Sequence, residues 1–245
     1  MNARAAPAPG SAGPPAATEG ELVRCAEVSR RHGDPATGAR AVTEVSCTVR
    51  TRMRVALTGP SGSGKSTLLH LMAGLDQPTA GTIDWPGFGG SPAARPDTVG
   101  VVFQGPSLLP DLDVAENVAL PLLFCDVPVD RAAARAADAL ARLGVGDLAA
   151  KLPEELSGGQ AQRVAAARVL AGRPRLILAD EPTGQLDRHT GAQVISVLLE
   201  AADELGAALL VATHDPTVAE RLSDRWTMRD GHLTTPDSTS QESTG

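Results

Sequence analysis

Gly59, Pro60, Ser61, Gly62, Ser63, Gly64, Lys65 and Ser66 are consecutive and match the pattern G-x-x-x-x-G-K-[ST] at every fixed position. The pattern suits one task, the holding of a polyphosphate. Its glycines let backbone N–H groups turn inward around an anion where side chains would block the approach. Lys65 brings a full positive charge to the β- and γ-phosphates, and the Ser66 hydroxyl can ligate Mg²⁺. Apolar residues 55–58 before the loop read as a buried strand, and residues 67–73 after it, beginning with Thr67, read as a helix ending at Gly74. Strand, glycine loop and helix together aim the positive end of the helix dipole at the bound anion. The segment therefore implies a site for a nucleoside triphosphate.

Two further segments could act on that nucleotide. Asp180 and Glu181 follow the apolar run 176–179, and in parallel α/β sheets ligands gather at the carboxyl ends of the strands. Asp180 can hold Mg²⁺, directly or through water, while Glu181 points elsewhere and can polarise a water for in-line attack. Leu156, Ser157, Gly158, Gly159 and Gln160 open a helix with two glycines and a hydroxyl. Bare N–H groups at such a start form a second anion site.

These groups need a scaffold, and the pattern supplies one. Residues 22–28 and 41–49 read as strands joined by a polar loop, and short strands are expected at 82–85 and 99–103. Residues 87–97 read as a Gly/Pro-rich surface loop. From 108 to 158 the character is helical, with Asp130 as the N-cap of a helix that presents Ala133, Ala137, Leu140 and Leu143 and closes at Gly144. A helix after Gly159 carries Val164, Ala167 and Leu170; another over 190–205 carries Val194, Val197, Leu198, Ala201 and Leu205. Continuous apolar runs at 176–179 and 208–213 fit strands buried on both faces. Strands alternating with helices predict a mainly parallel sheet in an α/β core.

At 245 residues the chain has room for one large domain, or a domain with a small subdomain. Residues 1–20 and 234–245 are expected to be disordered tails flanking a domain over 21–233, because their composition offers little apolar surface to bury. A net charge of -7 argues against a general nucleic-acid binder. Cys25, Cys47 and Cys125 lie far apart in sequence, which suits neither zinc nor a disulfide framework and implies a reducing compartment. The longest apolar stretch, 118–125, is broken by Pro121 and far short of the roughly 20 residues a spanning helix needs. The N-terminus shows no apolar core of a secretion signal. A cytosolic protein is expected, unless a partner carries it to a membrane.

Taken jointly, the motifs resemble the nucleotide-binding subunits of ATP-binding cassette (ABC) transporters. The signature of that family is similar to 156–160, its Q-loop to Phe103 and Gln104, its D-loop to 184–187, and its H-loop to 213–215. The resemblance runs from about 22 to 233. It implies a P-loop NTPase of α/β class: a mainly parallel core sheet, an N-terminal antiparallel β edge, and a helical signature subdomain at about 105–172. It also implies that ATP, with Mg²⁺, is sandwiched between the phosphate loop of one protomer and the signature of a second copy, so that Ser157, Gly158 and Gly159 bind the γ-phosphate across the dimer. Gln104 would sense metal and attacking water and couple the site to a transmembrane permease on a separate chain. Asp187 would bridge protomers and His214 would contact the γ-phosphate. No nucleic-acid partner is implied, and the location would be the inner face of the cell membrane, reached through the permease.

Within the family, residues 70–76, 116–122, 178–184 and 228–231 resemble the lipoprotein-releasing, macrolide-exporter and cell-division ATPases. Hence two functions are expected from the same ATPase: driving a permease of exporter or lipoprotein-releasing type, or acting as an ATP-gated regulator of a membrane cell-division complex. DNA-repair relatives carry long insertions between motifs, for which there is no room between Lys65 and Ser157. Three departures from the family stand out. No tyrosine exists to stack on adenine, and His32 falls at that place, offering a smaller ring. The 83–99 stretch is short, and Gln185 stands in the D-loop. The segment 105–125 would hold the groove for the permease, although Leu108, Leu109, Leu112 and Leu123 could equally be subdomain core.

Overall fold

The computed structural model describes residues 19–34, 38–92, 95 and 97–236. The expected tails lie, for 1–18 and 237–245, outside the described residues.

Among the described residues there are two sheets and six α-helices. β1 (Glu21–His32) pairs antiparallel with β2 (Ala39–Arg50) and with β4 (Ala80–Asp84), giving a three-stranded sheet of order β2-β1-β4. The second sheet is the core. It combines β5 (Val99–Val102), β6 (Leu176–Asp180), β7 (Ala208–Ala212), β3 (Arg54–Thr58) and β8 (Asp224–Arg229) in parallel, with β9 (His232–Thr234) antiparallel at its edge. The expected mainly parallel core and antiparallel edge are both present.

Period-two alternation explains how the core sheet serves two cores at once. Ala56, Ile177, Ala179, Leu209 and Val211 face one way, onto α4 (Gly158–Ala171) and α5 (Arg188–Leu205). Val55, Leu57, Leu176, Leu178 and Leu210 face the other way, onto α1 (Lys65–Met72) and the antiparallel sheet. Thus α1 is clamped between two sheets. Its Leu68, Leu69, Leu71 and Met72 are fully buried, which fixes the axis of the helix and so the direction of its N-terminus.

The helical region consists of α2 (Val114–Leu123), α3 (Val129–Arg142) and α4, which pack on one another. A capping box starts α2: Asp113 accepts from the Glu116 amide at 2.8 Å and Glu116 accepts from the Asp113 amide at 2.9 Å. Pro121 lies inside this helix. For α3 the sequence reading needs correction. Its N-cap is Pro128 rather than Asp130, and the buried face carries Ala132, Ala136, Ala139 and Leu140, whereas Ala133 and Ala137 are exposed. Arg131, Arg135, Asp138 and Arg142 recur at helical spacing and mark the outward face, which turns Ala132, Ala136, Ala139 and Leu140 inward against α2 and α4.

The cysteines, remote in sequence, are not all remote in space. Cys25 and Cys47 stand opposite each other on β1 and β2. A hydrogen bond between the thiols, with burial second, raises the Cys47 pKa well above its ordinary value, while Cys125 is raised mainly by burial and then by Asp97 and Asp126. A raised thiol pKa means less thiolate, the nucleophilic form, until the pH climbs toward it. Iodoacetamide at neutral pH should therefore label Cys47 more slowly than Cys125, and both more quickly as pH increases. Peptide mass analysis of timed samples reads this; Cys47 reacting first would contradict the thiol pairing.

Candidate functional site

The glycine loop leaves the end of β3 and returns into α1 through Gly64, whose φ of 102° makes it the helix N-cap. Glycine is needed there for two reasons. The backbone is in the left-handed region, and an added Cβ would lie 1.9 Å from the carbonyl oxygen of Ala41 on β2. Gly59 is similarly confined, its would-be Cβ 2.1 Å from the Met228 carbonyl oxygen. The Gly231 amide donates to the Ser63 carbonyl at 3.1 Å. The loop is thus held from outside by β2, β8 and the β8–β9 turn. Gly64→Ala should cost about 1–3 kcal/mol in backbone strain, lowering the melting temperature by about 2–12 °C and weakening ATP binding. An unshifted melting curve would show that the loop does not need this close approach.

Lys65 is buried, and its ammonium donates to the Gly59 carbonyl at 2.9 Å and the Pro60 carbonyl at 3.0 Å. Its charge is therefore fixed inside the curve of the loop. Beside it opens a cavity of about 610 Å³ lined by Ser61, Gly62, Gly64, Lys65, Ser66 and Thr67 from the loop and α1. The same cavity is lined by Gln104, Asp180, Glu181 and His214. Four loops that are far apart in sequence meet there because β3, β5, β6 and β7 are parallel neighbours in the core sheet and all end on one side.

Asp180 is the last residue of β6 and is buried, with its Oδ1 unpaired among the described residues. An unpaired buried carboxylate oxygen is costly, and a cation is its natural partner. Together with the Ser66 hydroxyl and the Gln104 side chain it offers the hard oxygen donors that Mg²⁺ takes. No cluster of three or more His, Cys, Asp or Glu side chains that could hold a metal occurs among the described residues. These few donors fit an ion that draws its remaining ligands from water and phosphate.

Glu181 follows in a left-handed conformation at φ 46°, with its amide donating to the Ala212 carbonyl at 3.0 Å. A non-glycine residue at positive φ is strained. From this backbone the carboxylate reaches His214, whose Nδ1 lies 3.0 Å from Oε2. The Glu181 side chain is only 13% exposed, whereas that of His214 is 73% exposed. His214 thus orients the carboxylate from the open side of the cavity and can relay a proton to or from it.

Other expected site residues stand apart. Ser157, Gly158, Gly159 and Gln160 do not line this cavity. Ser157 and Gln160 instead form a capping box at the start of α4, the Gln160 amide donating to Ser157 Oγ at 3.3 Å and the Ser157 amide to Gln160 Oε1 at 2.9 Å. The Asp187 carboxylate caps α5, accepting from the His189 and Thr190 amides and from the Thr190 hydroxyl. Those bonds hold its pKa below the usual carboxylate value. His32 is exposed, its Nε2 lying 3.4 Å from Thr67 Oγ1. Ala41 lines the cavity and Met228 backs the loop; neither carries a chemical signal in sequence, since both act through backbone carbonyls or bulk.

Comparison with known proteins places this arrangement. A family model described as "ABC transporter" matches residues 42–184. The chain is similar to the lipoprotein-releasing system ATP-binding protein LolD of Shewanella sp. (strain MR-4), 41% identical over 219 residues, covering 86% of this chain and 95% of that protein. LolD of Hydrogenovibrio crunogenus (strain DSM 25203 / XCL-2) is 43% identical over 198 residues, 78% of this chain and 86% of that one. Among solved structures, the ABC MJ0796 in a dimeric post-hydrolysis state bound to ADP and Pi superposes with TM-score 0.80 at 33% identity, over 87% of this chain and 98% of that chain. A second dimeric structure of the MJ0796 cassette gives TM-score 0.79 at the same identity and coverage.

Proposed function

The chain belongs to the ABC transporter family as an ATP-hydrolysing cassette, and from that premise we propose that two copies close on two ATP molecules to drive a membrane permease of lipoprotein-releasing type. One observation carries the proposal. Lys65, Ser66, Gln104, Asp180, Glu181 and His214 share a cavity on one protomer, yet the anion-binding start of α4 is absent from its lining. A site so divided is completed only when another copy supplies Ser157, Gly158 and Gly159.

The loop amides and Lys65 bind the phosphate chain, and Thr67 extends the contact along α1. Ser66, Asp180 and Gln104 are the residues that would hold Mg²⁺, which supplies charge neutralisation for the departing phosphoryl group. Glu181 orients the attacking water and accepts its proton at Oε1 or Oε2. His214 steadies that carboxylate and reaches the γ-phosphate side. Asp187 shapes the start of α5 so that the 184–187 turn meets the second protomer, and His32 lies beside the adenine. Loss of the γ-phosphate removes charge-assisted contacts of about 1.5–3 kcal/mol each, which biases the pair toward opening.

No helix among the described residues is long and apolar enough to cross a membrane, and the permease of this reading is a partner on its own chain. Leu109, Leu123 and Phe124 are exposed in the segment after Gln104, Phe124 at 79%, and supply the apolar surface for a permease contact. The names of the relatives favour lipoprotein release over a regulatory role in cell division. Purification of the tagged chain from detergent-dissolved membranes tests this. The expected result is an integral membrane chain that remains bound and raises ATP turnover; a cassette whose turnover no membrane chain alters would contradict it.

A further inference from the structure

Gln104 lies in a segment that is bound by side chains at nearly every turn, and the bonds come from the helices rather than the core sheet. Gln162 of α4 is 1% exposed and its Nε2 donates to the Phe103 carbonyl at 3.0 Å. Arg168, two turns further along α4, donates from Nη1 to the Ser107 carbonyl at 2.9 Å and from Nη2 to the Pro106 carbonyl at 3.3 Å. Ser107 is held at a φ of +47°. On the far side, buried Asn117 of α2 accepts from the Leu109 amide at 2.7 Å and donates to the carbonyls of Leu109, Leu112 and Asp113.

Position along α4 gives these bonds their meaning. The C-terminal half of the helix is seated on β5: a Cβ at Gly100 would lie 2.3 Å from Val169 Cγ1. Its N-terminal half carries the glycines that meet the nucleotide of the other protomer in the proposed function. Gln162 lies in the N-terminal half, where α4 packs on α2 and α3, and Arg168 lies next to the seat at Val169. A helix pivoting on its seat would therefore drag Phe103 through Gln162, while Arg168 keeps 106–107 in place on the helix. Phe103 is also the joint, its ring 5.7 Å from the His70 ring on α1.

We propose that Gln162 and Arg168 are positioning residues that fasten the Gln104 segment to α4, so that movement at the glycine start of the helix is delivered to Gln104. The inference rests on the shared-site reading above. Without the two side chains the loop would absorb the movement, and Gln104 would respond to nucleotide on its own protomer alone.

Hydrogen–deuterium exchange of the full chain, made with Glu181→Gln so that ATP is retained, tests it. In that parent, ATP should slow exchange in both 157–163 and 103–108, by about tenfold or more for bonded amides. With Gln162→Met and Arg168→Met added, 157–163 should keep its response to ATP and 103–108 should lose it, while 109–113 stays held by Asn117 of α2. Arg168→Lys alone, which can bond one carbonyl, should restore part of the loop response. The single variants are measured if the double variant does not fold, and each should lower the loop response alone. A loop response that survives in the variants, or that shifts equally with and without ATP, overturns the inference. No ATP response at 157–163 in the parent overturns the shared-site reading instead, and the inference with it.

Discussion

Glu181→Gln should lower ATP turnover by about 10²- to 10⁴-fold, the usual contribution of a positioned general base, while leaving ATP affinity close to that of the parent. Glutamine has the size of glutamate and can still accept a hydrogen bond from His214 Nδ1, now 3.0 Å from Oε2. What it lacks is the negative charge that draws a proton from water. The left-handed backbone at φ 46° is retained, so geometry and charge are separated by this one change. Steady-state phosphate release against ATP concentration measures it. A variant that turns over within a few-fold of the parent would remove Glu181 from the chemistry.

Lys65→Ala should act one step earlier, on binding. Charge-assisted hydrogen bonds are worth about 1.5–3 kcal/mol, so ATP should bind about 10- to 150-fold more weakly. A second loss adds to it, because the ammonium also ties together the Gly59 and Pro60 carbonyls. With those carbonyls released, the loop has to be reordered when phosphate enters. Calorimetric titration with ATP at fixed Mg²⁺ reads the affinity, and the melting curve checks that α1 is still seated. Parent-like affinity would mean that the phosphates do not reach this loop.

Most of the residues that line the cavity were legible because the chemistry proposed for them is written in short, contiguous segments. A loop that must turn its amides inward has glycines at fixed spacing, and a carboxylate pair at the end of a buried strand follows an unbroken apolar run. Residues that act through the backbone leave no such mark. Ala41 and Met228 confine the loop with carbonyl oxygens, a job that nearly any residue of suitable size performs. Gln162 and Arg168 likewise reach backbone carbonyls some 60 residues away, and only the packing of α4 on β5 brings them together.

The misplaced face of α3 has a different cause. Alanine is a strong helix former, so the helix was evident; its phase is carried by the charged stripe Arg131, Arg135, Asp138 and Arg142 rather than by the alanines, which stand on both faces. Residues 108–158 read as helical, and α2 forms there with Pro121 inside it, started by the Asp113 and Glu116 capping box. Strands β8 and β9 follow no strongly apolar run, since β8 exposes alternate residues and buries only Trp226 and Met228. Cys25 and Cys47 meet only because of the β1–β2 register, which bulges make hard to count from sequence.

Light scattering of the Glu181→Gln chain after size-exclusion chromatography, with ATP and Mg²⁺, is the direct test of a nucleotide gripped from two sides by two copies. Particles of two chains with ATP should be found, reverting to single chains when Gly158→Asp is added to place a carboxylate where phosphate must sit. Single chains at saturating ATP, or pairs that persist despite Gly158→Asp, would contradict it.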